Sequence, residues 1–165
     1  MSKIIIRQAA ASDATHLNHA LRQLSDDLGD EHLASDEAVA QAGFGTSPSF
    51  SALLAEDQDM AVGVVMFSPV FSTIRGAPGV FVSDLWVSQS YRGQGIATRL
   101  LSNVCSISSQ QWGAAFMRLN VYNENQVAIS AYEKLGFKSE NHETIMTLAI
   151  KAFDPLSKIT GREAT

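Results

Sequence analysis

One cysteine, Cys105, is all that 165 residues contain. A lone thiol excludes an internal disulfide framework. It lies in an apolar helical pattern, which predicts a buried structural thiol. No apolar run approaches the length of a membrane span, which excludes a spanning helix. Met1 to Arg7 is too short and too strand-like for a signal peptide, so a cytoplasmic protein is expected. A basic excess is also missing. Twelve Lys and Arg stand against 17 Asp and Glu, a formal net charge of −5. That argues against a nucleic-acid grip, which needs a basic stripe. It suits a cationic small substrate. The four histidines, His16, His19, His32 and His142, fall into no metal-binding spacing, so no metal site is expected. There are no internal repeats and no low-complexity tract.

Hydrophobic residues make up 45% of the chain and charged residues 18%, a composition that suits one globular domain with one core. That domain is expected over residues 1–152. Residues 153–165 hold few core candidates and are expected to form a mobile tail.

Three consecutive isoleucines within Lys3 to Arg7 predict a buried strand. Ser12 is a candidate N-cap for a helix carrying Leu17, Ala20, Leu21, Leu24 and Leu28, closed by Gly29. Ser35 is placed to cap a second helix ending near Gly43. Phe50 to Glu56 and Ala61 to Phe67 read as a hairpin turning at Asp57-Gln58-Asp59. Residues 69–79 hold Pro69, Gly76, Pro78 and Gly79 and read as an irregular connection. Val80 to Val87 is a strand. Gly95 to about Gln111 is a helix with Ala97, Leu100, Leu101, Val104 and Ile107 on its inner face. Phe116 to Val121 is a strand and Asn125 to Leu135 a helix. Gly136 stands where a left-handed cap belongs. Phe137 to Lys138 and Thr144 to Ile150 are the last strands. The order is α/β (an α+β mixed sheet), with a right-handed crossover required in its second half. Ligands of such sheets bind outside the carboxyl ends of strands, beside a helix start.

The most informative segment is the loop after the strand ending Asp84-Leu85-Trp86-Val87. It continues Ser88-Gln89-Ser90-Tyr91-Arg92-Gly93-Gln94-Gly95 into the helix. Gly93 and Gly95 allow close backbone approach and positive φ. The first N–H groups of the helix lack intrahelical partners, and its dipole favours an anion there. Arg92 adds a positive charge at the rim. A phosphate site follows. No Gly-Lys-Ser/Thr is present, so it is not a Walker loop. A tight strand-to-helix turn is the other reading of the same glycines.

The string Arg92-x-x-Gly95-x-Ala97 resembles the acetyl-coenzyme A motif of the GNAT acetyltransferase superfamily, Gln/Arg-x-x-Gly-x-Gly/Ala. Downstream, Asn125-x-x-Ala128-x-x-x-Tyr132-x-x-x-Gly136-Phe137 resembles the second motif of that family. The resemblance implies a GNAT-like acyl-CoA N-acyltransferase fold to about Ile150. That fold is a mostly antiparallel sheet with a central parallel pair and flanking helices. It also implies acetyl-CoA as cofactor. Backbone groups of Leu85, Trp86 and Val87 would pair with the pantetheine arm. Arg92, Gly93, Gln94, Gly95, Ile96, Ala97 and Thr98 would cradle the pyrophosphate, and Asn125, Ala128 and Tyr132 would line the other side. A homodimer is implied as well, with the tail after Ala152 a candidate for its contacts. A narrower likeness joins Ala42-Gly43-Phe44-Gly45, Pro48, Phe50 and Leu54-Ala55-Glu56 to the spermidine/spermine (diamine) acetyltransferases. Where that branch carries a Glu-Asp pair, this chain has Ser83-Asp84.

Acetyl transfer from a thioester needs an amine freed of its proton, a stabilised oxyanion and a proton for the departing thiolate. Tyr132 is the candidate acid, since phenol and alkyl thiol have similar reference pKa values. Packing on the apolar face with Ala128, Ile129 and Leu135 is its other reading. Asp84 is the candidate base through water held by Ser83, against a purely structural role in pinning the strand. A backbone N–H near Val87 is the candidate oxyanion donor, if the strand splays there. Asp26, Asp27, Asp30 and Glu31 cluster at the end of the first helix and in the following loop, placed to select a cationic amine by Coulomb attraction. Ser83, Asp84 and Asp27 are taken as the substrate-binding set, and a solvated acidic face is the alternative. The expected activity is transfer of an acetyl group to the primary amine of a diamine, polyamine or amino-acid-like molecule by direct attack. Acetylation of a protein N-terminus or lysine, or a non-catalytic acyl-CoA-binding module, are the competing readings.

Overall fold

A computed structural model describes residues 3–148. The chain divides into two compact units, Met1–Asn125 and Gln126–Thr165.

In the first unit β1 (Ile5–Gln8) leads through a 3-10 turn (Ala11–Asp13) into α1 (Ala14–Leu28) and α2 (Asp36–Phe44). Then come β2 (Ser51–Asp57), β3 (Met60–Ser72), β4 (Ala77–Val87), a second 3-10 turn (Gln89–Tyr91), α3 (Ile96–Trp112) and β5 (Met117–Leu119). Gly29 closes α1 in the left-handed conformation, φ 75°. Ser35 Oγ caps α2 by accepting from Ala38 N–H at 3.1 Å. Both were legible from residue type.

The five strands lie in the order β1-β2-β3-β4-β5. The first four form an antiparallel meander, and β5 joins β4 in parallel. That pair lies at the end of the described sheet, joined by the α3 crossover. Helices cover both faces. Leu54 and Val64 sit with Leu17, Leu21, Val39 and Trp86 in one buried cluster. On the opposite face, a Cβ added at Gly63 would lie 3.2 Å from Ile96 and 3.3 Å from Leu100 and Ala55. Alternation along each strand thus feeds two cores, which is why Ala52-Leu53-Leu54-Ala55 is buried without a break.

Four expectations for this unit are corrected. The first strand is not buried, and Ile5 is exposed. Ser12 does not cap α1, whose N-cap position is Asp13. Residues 69–79 form no irregular connection. β3 runs to Ser72 and β4 starts at Ala77, with Pro69 opposite Val80 and Phe71 opposite Pro78. Proline's fixed φ is compatible with extended backbone. Its carbonyl still serves the sheet, and Pro78 O accepts from Ala115 N–H at 2.9 Å. Only the tip, with Gly76 at φ 61°, turns. Cys105 is exposed, not buried. The inner face of α3 is Ile96, Leu100, Leu101, Val104 and Ser108, and at 100° per residue Cys105 falls beyond its border.

In the second unit α4 (Gln126–Lys134) is followed by Gly136 at φ 97°. The expected strand at Phe137–Lys138 does not form. Phe137 N–H is spent on closing the helix, donating to Tyr132 O at 3.1 Å, so it has no hydrogen to give a ladder. Residues 144–148 are also not a strand. They follow the polar run Ser139–Glu143, and Ile145 and Met146 are exposed. The rest of that expected strand and the tail from 153 lie outside the described residues.

Arg7 joins the chain's start to the sheet. It donates to both oxygens of Asp13 (2.7 and 2.9 Å) and both of Glu56 (2.6 and 2.8 Å). Hydrogen bonding to Arg7 outweighs burial and pulls the Asp13 carboxyl down to about 2. A lowered native pKa means stability that is present above the ordinary value and lost as pH falls through the native one. Asp13→Asn is expected to destabilise the protein by about 2 kcal/mol at neutral pH in urea unfolding. It should also flatten the fall in stability between about pH 4 and pH 2.

Candidate active site

The loop after β4 is tied down before it reaches α3. Ser88 N–H donates to Val62 O at 2.8 Å. Tyr91 Oη donates to Asp57 Oδ2 at 2.8 Å, and that bond chiefly raises the phenol's pKa. Gly93 and Gly95 both adopt left-handed backbone, φ 76° and 75°. Gly95 occupies the N-cap of α3 and offers no side-chain cap. The first helical bond runs from Arg99 N–H to Gly95 O at 3.0 Å, so the N–H groups of Ile96, Ala97 and Thr98 precede the ladder. Among the described residues, a Cβ at Gly93 or Gly95 would meet no atom within 4 Å beyond its chain neighbours. Three forward-facing donors, a helix dipole and open space above two glycines fit a diphosphate.

The charge at the rim is differently placed. Arg92 Nε donates to Val87 O at 2.9 Å and Nη2 to Asp27 Oδ2 at 2.5 Å. Asp27 Oδ2 also accepts from Trp86 Nε1 at 3.0 Å. Asp27 therefore stands as the link between α1, the buried Trp86 and the loop. Gln94 Nε2 reaches back to Ser90 O at 3.3 Å.

β5 stops early. Its last residue, Leu119, pairs with Val82, while β4 continues to Val87. Ser83 to Val87 thus run past the end of β5, with Leu85, Trp86 and Val87 still paired to β3 on the other side. An overhanging strand edge can take an extended ligand as a further strand. The ladder irregularity falls at Met66/Phe67, where Asp84 opposes Met66 and Val82 opposes Phe67. Ser83 is the extra residue of a bulge, a common device for re-aiming a side chain beside a site.

Asp84 lines a cavity of about 370 Å³. Leu21, Val39, Phe50 and Met66 give it an apolar wall, and Ser25, Glu31 and His32 are its other polar side chains. Asp27 and Ser83 are not among the lining residues. Asp30 accepts from Tyr122 Oη at 2.8 Å. Of the acidic cluster, Glu31 alone lines the cavity. Among the described residues no three His, Cys, Asp or Glu side chains gather to hold a metal, and no helix is long and apolar enough to cross a membrane.

In the second unit Tyr132 lies on α4 with Ala128. Its ring meets Phe137 edge-on at 5.6 Å between centroids. Burial raises its pKa, so the phenol keeps its proton more firmly. Asn125 ends the first unit, its N–H donating to Tyr122 O at 2.9 Å.

Ser25 and His32 were not singled out as a site from the sequence, and Glu31 was read only within the acidic cluster. Their signal lies in α1. Asn18 and Ser25 share the helical face of Leu17 and Leu21, so two polar residues interrupt an apolar stripe. The overhang of β4 left no such signal, because it depends on where a distant strand ends.

A mixed sheet with a glycine-capped anion site at the head of its crossover helix, beside an overhanging strand, defines a coenzyme-binding acyltransferase. The model of the Acetyltransferase (GNAT) family matches residues 17–137. The chain belongs to that family and is an acetyl-CoA-dependent N-acetyltransferase. Thialysine N-epsilon-acetyltransferase of Sus scrofa is 30% identical over 146 residues, covering 82% of this chain and 85% of the relative. The Mus musculus protein of that name is 31% identical over the same shares. Two solved structures share the fold. An integron cassette protein from the mobile metagenome of V. cholerae superposes with a TM-score of 0.77, at 19% identity over 96% of this chain and 99% of its own. Aminoglycoside N-acetyltransferase AAC(6')-Iy, in complex with CoA, gives 0.73, at 22% identity over 91% and 97%.

Proposed function

We propose that residues 1–152 act as one catalytic domain that transfers acetyl from acetyl-CoA to the primary amine of a small molecule by direct attack. The acceptor is a diamine, a polyamine or an amino-acid-like amine. The observation that carries this reading is the cavity of about 370 Å³ in which Asp84 and Glu31 face an apolar wall. It offers room for a short aliphatic body and negative charge for an ammonium head, and no Lys or Arg lines it. The thialysine N-epsilon-acetyltransferases named above support an amino-acid-like amine among these acceptors. A homodimer belongs to the same reading, on the family resemblance alone.

Acetyl-CoA supplies an activated acetyl thioester. The chain's own residues then divide the work. Main-chain groups of Leu85, Trp86 and Val87 hold the extended arm. The N–H groups from Gly93 to Thr98 hold the diphosphate, and Asn125 and Ala128 line the cofactor. Asp84, with water beside Ser83, supplies the negative charge that holds the ammonium while its proton is lost. Tyr132 Oη holds the proton destined for the leaving sulfur.

Thiol release from acetyl-CoA should be followed against thialysine, lysine, diamines, spermidine and a peptide with a free N-terminus. Release that depends on a small amine and is absent with the peptide is the expected result. Tight coenzyme A binding without turnover on any amine would mark a binding module instead.

A further inference from the structure

The division of work just described leaves a hydrogen-bonded chain beside the cavity unused. Asn18 is buried, 2% exposed, in the middle of α1. Its Nδ2 donates to Ala34 O at 3.1 Å and Asp36 Oδ1 at 2.7 Å, both pure acceptors. Those two bonds decide which end of the amide is oxygen. Asn18 Oδ1 faces His32 Nε2 at 2.8 Å, and an amide oxygen only accepts, so Nε2 carries a hydrogen. The other ring nitrogen, Nδ1, faces Ser25 Oγ at 2.9 Å. Ser25 Oγ also has Leu21 O within 3.2 Å. Two proton arrangements therefore satisfy every group without moving a heavy atom. With a neutral ring, Ser25 O–H donates to Nδ1. With an imidazolium, Nδ1–H donates to Ser25 Oγ and the hydroxyl turns to Leu21 O.

Ser25 and His32 line the cavity with Asp84 and Glu31. The carboxylates around the ring are Glu31 beside it in the chain, Asp84 from β4 and Asp36 of α2 behind Asn18. We propose that Ser25 and His32 form the relay that takes the proton a cationic acceptor amine must lose. An ammonium N–H bond breaks and its proton passes to Ser25 Oγ, while the Ser25 O–H proton passes to His32 Nδ1. The products are a neutral amine with a free lone pair and an imidazolium held by Ser25 Oγ and Asn18 Oδ1. Water returns the proton to solvent afterwards. By reference values an imidazole is better matched to this transfer than a carboxylate. Ser25 Oγ meets the amine. His32 acts through it, as a positioning and proton-holding residue. The relay rests on the cavity being the acceptor pocket.

The test compares wild type, His32→Gln and Ser25→Ala on small primary amines of falling basicity at neutral pH and saturating acetyl-CoA. The series ends on 2,2,2-trifluoroethylamine, an amine already neutral there. Both variants are expected to lose about 10²-fold in kcat on strongly basic amines, with acceptor KM within about threefold of wild type. The loss should shrink to about threefold or less on trifluoroethylamine, because no proton remains to be taken. Equal losses along the series, or none on the basic amines, would overturn the relay. Should a variant fail to fold, nitrogen NMR of the wild-type ring decides. A hydrogen on Nε2 is expected, and a ring whose hydrogen sits on Nδ1 alone overturns the proposal. A wild type that acetylates none of the amines overturns the acceptor-pocket reading itself, and the relay with it.

Discussion

Gly95→Val should leave a folded protein that has lost most of its affinity for coenzyme A. The two effects separate because they have different causes. Gly95 sits at φ 75°, where an L side chain costs about 1–2 kcal/mol in backbone strain. A β-branched residue pays the upper end of that range. Among the described residues, nothing beyond the chain neighbours lies within 4 Å of the added Cβ, so no core contact is crushed and melting should fall by only several degrees. The same open space is where a diphosphate must approach the N–H groups of Ile96 to Thr98. Branched carbons standing there should weaken coenzyme A binding by about 100-fold or more, through lost contacts and steric exclusion together. Calorimetric titration with coenzyme A, run beside a thermal melt, reads both. An unchanged dissociation constant in a folded Gly95→Val protein would remove the loop from the cofactor site.

Tyr132→Phe carries the second large effect. The substitution removes one oxygen and keeps the ring that packs against Phe137, so folding and coenzyme A affinity should change little. If Tyr132 Oη gives the departing sulfur its proton, kcat should fall by about 10²-fold or more. The pH dependence supplies a second signature. Burial raises the phenol's pKa, so the acid form persists through neutral pH and the alkaline loss of activity is displaced upward from where an ordinary phenol would place it. That limb should be absent from the residual activity of Tyr132→Phe. The sign for stability agrees. A raised native pKa contributes stability that is present below the unfolded value and lost as pH rises through the native one. Tyr91 and Tyr122 are raised too, each by its hydrogen bond to a carboxylate, Asp57 and Asp30, so the stability limb is shared. The activity limb is the readout specific to Tyr132. A kcat within about twofold of wild type would return Tyr132 to a packing role.

How much of this was readable beforehand depended on range. Ser35, Gly29 and Gly136 announced helix ends because capping is settled within a few residues. Gly93 and Gly95 announced positive φ for the same reason. Pro69 and Pro78 misled, since proline interrupts most regular structure, yet here each lies in an extended ladder and Pro78 still accepts through its carbonyl. Cys105 misled because a helical stripe has an edge, and one residue's step of 100° decides which side of it a side chain takes. His32 was legible only as a histidine without a metal spacing. Its significance came from Asn18, whose amide is oriented by Ala34 and Asp36 from outside the helix.

The family motifs around Arg92 to Ala97 and Asn125 to Phe137, the caps and the two-faced strands were determined by residue order alone, because each is a local rule of backbone sterics or periodicity. Tertiary structure decided the rest. It gave Arg92 to Asp27, ended β5 short of β4, put the bulge at Ser83 and brought Asp84 and His32 to one open cavity. Those outcomes join residues far apart in the chain. They are set by how sheet register and helix packing meet in space, which no short stretch of residues encodes.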